Sequence, residues 1–108
     1  MAPLSLGSIG MEMKTQRIAP RSMRATFIGG LVSSDVVSVR VSFRRPGSSR
    51  RFRAKPVMGM VEGDLQRRLD QPAPFGFYYA QVGGLVHFRD VRAEALDAKG
   101  DVIGKWGR

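Results

Sequence analysis

From Arg24 to Trp106 the apolar residues of this chain recur at every second position. That period limits the fold more than any other feature, because only an extended backbone turns successive side chains to opposite faces. Val37, Val39, Val41 and Phe43 alternate with Ser38, Arg40 and Ser42, the pattern of a strand buried on one side. Arg44-Arg45-Pro46-Gly47-Ser48-Ser49 reads as a turn. Beyond it Arg51, Arg53 and Lys55 alternate with Phe52, Ala54 and Pro56, so these two segments are expected to pair as a hairpin with a basic outer face and Phe43 and Phe52 turned inward.

The same period continues downstream. Phe75, Phe77 and Tyr79 alternate with Gly76, Tyr78 and Ala80, and the more aromatic phase is taken as the core side, leaving Tyr78 on the other face as a possible aromatic contact. Gly83-Gly84 is expected to turn the chain, with Leu85 to Phe88 extending or pairing with that strand. Val91, Ala93 and Ala95 alternate with Arg92 and Glu94, and Asp97-Ala98-Lys99-Gly100 predicts a type I turn closed by a glycine at positive φ. Val102 to Trp106 returns as the last strand. The one helical segment predicted starts at Asp64 as N-cap, places Leu65 and Leu69 on one face and ends before Pro72 and Pro74. Residues 1 to 22 are read as a flexible tail with a short strand at Leu4 to Ile9, and residues 23 to 108 as the folded domain. Six or seven short strands with almost no helix predict an all-β antiparallel sandwich or small barrel.

The closing stretch, Val91-Arg92-Ala93-Glu94-Ala95-Leu96-Asp97-Ala98-Lys99-Gly100-Asp101-Val102-Ile103-Gly104, resembles the last hairpin of immunoglobulin-like and fibronectin-type-III-like sandwich modules. Gly30 to Phe43 is similar to an early strand of such modules in accessory domains of bacterial envelope-type proteins. The resemblance covers about half the chain. It implies a binding or spacing module far more often than an enzyme.

The side-chain inventory excludes several chemistries. Among 108 residues there is no cysteine, which removes thiol catalysis, disulfides and sulfur-ligated metals, and His87 is the one imidazole. His87 has Asp90 nearby but its serines lie on distant segments, so it is read as a partly exposed strand histidine and no catalytic residue is assigned. Gly100-Asp101-Val102-Ile103-Gly104-Lys105-Trp106 has too few residues between its glycines for a phosphate loop and lacks the hydroxyl that holds magnesium. Lys99 places a cation where the calcium loop that Asp97 to Asp101 echoes would need a carboxylate. No cofactor or metal is expected. The run of consecutive apolar residues that a secretory signal or a membrane span requires is missing from the sequence.

What remains is charge. The net +9 sits wholly in the first half: residues 1 to 55 hold eleven basic residues against Glu12 and Asp35, and the rest balances seven against seven. Arg40, Arg44, Arg45, Arg50, Arg51, Arg53 and Lys55 follow one another without an acid between them, and they are the candidate contact residues for a partner or a polyanion. Two functions are expected on these grounds. The first is a non-enzymatic module that binds another protein through its surface; the alternative is a nucleic-acid-associated protein, bound to RNA or the ribosome, that uses the arginine hairpin.

Overall fold

The computed structural model describes residues 9 to 18, 23 to 70 and 73 to 107. It is an all-β sandwich of two four-stranded antiparallel sheets. One sheet has the order β1 (Glu12–Ile18), β2 (Met23–Ser33), β6 (Phe75–Gly83), β5 (Val57–Val61). The other runs β4 (Arg51–Ala54), β3 (Ser38–Arg44), β7 (Val91–Leu96), β8 (Val102–Trp106). The chain changes sheet three times: through Ser34 to Val37, at Lys55-Pro56, and between β6 and β7, where a 3-10 turn (Phe88–Asp90) leads into β7.

Alternation builds the core. Val39, Val41 and Phe43 of β3 face Ile28 and Val32 of β2 and Tyr78 and Val82 of β6, with Val91, Ala93 and Ala95 completing the layer. The expected hairpin forms, with Phe43 opposite Phe52 and Arg44 opposite Arg51. The last turn also forms as its residues dictate: Gly100 takes φ +86°, and the Asp97 carboxylate accepts hydrogen bonds from the backbone N–H groups of Lys99 and Asp101 at 2.9 and 3.0 Å.

Several expectations give way. The predicted strand at Leu4 to Ile9 lies outside the described residues except for Ile9, which bridges Val32. Within the span read as a tail, Glu12–Ile18 is the edge strand β1, and Met11 and Met13 pack against the core while Glu12 and Lys14 alternate with them. Strand β2 carries Gly29-Gly30 within it. Gly30 permits the first described segment to cross it closely, since a Cβ there would lie 2.2 Å from the Gly10 carbonyl oxygen. Leu85 to His87 pairs with no strand; Gly84 at φ +83° turns the chain away, and the Thr26 hydroxyl accepts from Val86 N–H at 3.2 Å and donates to the Gly84 carbonyl at 2.8 Å. The helix α1 (Gly63–Arg68) has its N-cap at Glu62, two positions before the expected Asp64, and buries none of its residues.

The largest correction is the face of β6. Gly76, Tyr78, Ala80 and Val82 are buried, whereas Phe77 and Tyr79 stand 40% and 43% exposed. Locally both phases are apolar, so the aromatic-rich one is the natural choice. Packing decides otherwise: Val32 and Met60 close over Gly76, where a Cβ would meet them at 2.8 and 3.0 Å. Tyr78 then fills the interior, its hydroxyl donating to the Gly10 carbonyl at 2.6 Å. Tyr78 is therefore a core residue, not a surface contact. Its phenol is pushed well above its ordinary titration range by burial, which disfavours the phenolate.

Candidate functional site

The two outer faces of the sandwich differ sharply. On the β4-β3-β7-β8 sheet, the parity that buries Val39, Val41 and Phe43 sends Arg40 and Arg44 outward, and the register extends this face across the sheet. Arg51 stands opposite Arg44. Arg53 and Arg92 flank Ser42 from either side, and Arg40, Glu94 and Lys105 form a third row. Six cations thus share a face on whose strands Glu94 is the one acid, with Asp90 at the end.

The hairpin residues divide by role. Arg40 pairs with Glu94 at 3.7 Å and Arg44 with Asp90 at 3.9 Å, both partly exposed pairs of the kind worth at most about 1 kcal/mol. Arg51 Nη1 donates to Ser42 Oγ at 3.1 Å, and its pKa is lowered by desolvation first, then by repulsion from Arg92 and Arg44, against an opposing pull from Asp90. Arg53 and Lys55 are exposed. Arg45 and Arg50 turn elsewhere. The Arg45 guanidinium lies 5.3 and 5.9 Å from the ring centres of Phe43 and Phe52 and donates to the Gly83 carbonyl at 2.6 Å, while Arg50 lies 5.1 Å from the Phe52 ring. Both guanidinium groups lie over the Phe52 ring, and Arg45 ties the hairpin to β6. His87 is exposed, as expected, though it precedes the 3-10 turn and does not sit in a strand.

Sequence reasoning missed Arg92 and Lys105, because they lie in the charge-balanced half of the chain, far along the sequence from the hairpin. The signal was present in the alternation of Val91-Arg92-Ala93-Glu94: whichever phase buries Val91 and Ala93 must expose Arg92.

The opposite face is apolar. Val57 of β5, Phe77 and Tyr79 of β6 and Leu31 of β2 project from the outer side of the β1-β2-β6-β5 sheet, each between 40% and 64% exposed. Register places them together: Leu31 opposite Phe77, and Val57 opposite Tyr79. Tyr79 also stacks on Phe27, ring centres 6.0 Å apart. Glycines shape the surface. Phe77 lies across Gly59, where a Cβ would come within 2.3 Å of the ring, and Gly29 floors a trough bordered by Phe27, Leu31, Phe77, Tyr79 and Lys14. No acidic or basic residue occurs in β5 or β6.

Among the described residues no three His, Asp or Glu side chains gather as a metal site, and no helix is long and apolar enough to cross a membrane. No protein-family model, curated protein or solved structure matches this chain.

Proposed function

We propose that this protein is a binding module that acts without catalysis, and that its contact surface for another protein is the apolar face of the β1-β2-β6-β5 sheet. One observation carries the reading: Leu31, Val57, Phe77 and Tyr79 stand together in solvent on one sheet face. Exposed apolar residues scattered singly are ordinary, but a contiguous group with two aromatic rings has the composition of an interface centre. Partner chemistry follows from the charge distribution. The chain is strongly basic, yet β5 and β6 bring no charge to this face, so the surface fits an apolar, weakly charged partner surface and not an acidic one. The resemblance of the closing hairpin to immunoglobulin-like modules, which mostly bind, agrees with this.

The test is affinity purification of the tagged protein in the presence of nuclease, comparing wild type with Phe77→Ser plus Tyr79→Ser and with Arg44→Gln plus Arg53→Gln. The apolar-face variant is expected to lose the captured protein while the arginine variant keeps it. Retention by the apolar-face variant, at unchanged thermal stability, overturns the reading.

A further inference from the structure

A row of basic residues on an edge strand has an ordinary explanation: it prevents the edge from pairing with another chain. That explanation covers Arg51 and Arg53 on the edge strand β4. It does not reach Arg40, Arg44 or Arg92, because β3 and β7 are interior strands whose backbone is already paired on both sides. Nor does fold stability explain them. Like charges directly opposite on neighbouring strands destabilise a sheet, and here Arg44 faces Arg51 while Arg53 and Arg92 flank a single Ser42. Arg51 donates to Ser42 Oγ at 3.1 Å and is repelled by Arg92 and Arg44, and that repulsion is what an anion would relieve.

The dimensions suit a polyanion. Three interstrand gaps span about 14 Å, and the four residue steps from Arg40 to Arg44 span a similar length. One strand of a duplex presents a phosphate about every 3.4 Å along its axis, so this face covers roughly four of them. No aromatic side chain lies on the outer phase of these strands: Phe43 and Phe52 point inward, and Trp106 packs on the core. A single strand would find no ring on which to stack its bases, whereas a duplex offers its higher charge density without needing one. The exposed pairs to Glu94 and Asp90 are weak enough to exchange for phosphate.

From this geometry we infer that the outer face of the β4-β3-β7-β8 sheet binds duplex nucleic acid through its phosphates, centred on Arg44, Arg51, Arg53 and Arg92 around Ser42. Because these groups meet the backbone and not base edges, binding is independent of sequence. It is also independent of the protein-contact face on the other sheet.

Fluorescence anisotropy with labelled 20-base-pair duplexes of random sequence, in DNA and RNA, and with a single strand of equal length tests this over a series of KCl concentrations. Duplex is expected to bind more tightly than single strand, with log K falling against log salt at a slope of about −3 to −4. Arg53→Gln plus Arg92→Gln should flatten that slope by about 2 units, and Arg53→Gln plus Lys105→Gln, which changes two exposed side chains, should flatten it without altering the melting temperature. Lys14→Gln plus Arg68→Gln removes the same net charge elsewhere and should leave the slope intact. Phe77→Ser plus Tyr79→Ser should bind duplex like wild type, which separates failure of this inference from failure of the protein-contact reading. Absence of binding at low salt, preference for the single strand, or an equal loss in the Lys14/Arg68 control overturns it.

Discussion

Replacing Tyr78 by Phe should destabilise the protein at neutral pH and stabilise it, relative to wild type, in strong alkali. At pH 7 the variant loses the hydrogen bond from the Tyr78 hydroxyl to the Gly10 carbonyl, 2.6 Å long. Gly10 is exposed, so water can reach its carbonyl when the phenol is gone, and the loss should be the net value of one hydrogen bond, about 0.5–1.5 kcal/mol. The alkaline side has the opposite sign. Burial raises the folded-state pKa of Tyr78 far above the value of about 10 it has in the unfolded chain. Its contribution is therefore fully present below pH 10 and is withdrawn as pH rises, because the unfolded state ionises first. Each pH unit above about 10 costs the wild type about 1.4 kcal/mol that the Phe variant does not lose. The two stability curves should cross between about pH 10 and pH 11, where that cost reaches the 0.5–1.5 kcal/mol of the lost bond. Urea titrations from pH 7 to 11.5, read by the fluorescence of Trp106, measure both curves. A difference that stays constant with pH would show that Tyr78 ionises as freely in the folded protein as in the unfolded one, and the inward face of β6 would be wrong.

Phe43→Ala should cost about 3–5 kcal/mol, since Phe43 is 3% exposed and its removal leaves a cavity, whereas Phe77→Ala should cost only about 1–2 kcal/mol; thermal melts of the two variants compare them directly. Gly30→Ala should cost about 1–3 kcal/mol by forcing the Ile9 to Met11 segment off β2, seen as lost protection of the Gly10 amide, which donates to the Leu31 carbonyl at 2.8 Å. Asp97→Ala removes the acceptor of two turn hydrogen bonds and should cost about 0.5–2 kcal/mol by urea unfolding, with the β7-β8 hairpin exchanging fastest.

Strand periodicity was legible wherever one phase was clearly polar. Val39, Val41 and Phe43 against Ser38, Arg40 and Ser42 left no choice of face, and the structure buries all three, whereas Val37, expected in the same row, precedes β3 and stands 59% exposed. Phe75 to Ala80 offered apolar residues in both phases, and there the aromatic count pointed the wrong way. Two residues more would have broken the tie: Gln81 shares the phase of Phe77 and Tyr79, while Val82 shares that of Tyr78 and Ala80. Strand β1 was obscured by flanking prolines and glycines, although Met11-Glu12-Met13-Lys14 alternates in the same way as the later strands. The basic face was half legible. Its hairpin arginines are neighbours in sequence, but Arg92 and Lys105 join them only through the order β4-β3-β7-β8, and no local pattern encodes which strands will be adjacent.

Both surfaces depend on the same constraint. In a sandwich one face of each strand is committed to the interior, so a slip of one residue in β3 would bury Arg40 and Arg44 and expose Val39, Val41 and Phe43. The cost of desolvating two guanidinium groups fixes that register as firmly as the apolar core does. In β6 the penalty is weaker, because Phe77 and Tyr79 could replace Tyr78 and Ala80 in the interior without burying any charge; what holds this strand in phase is the fit of Gly76 beneath Val32 and Met60 and the hydroxyl of Tyr78 on Gly10. The arginine face is thus the by-product of no packing requirement on its outer side, and the apolar face is held outward by shape alone. Substitutions confined to either outer face leave the inner phase untouched, which is why the two surfaces can be tested separately in one folded protein.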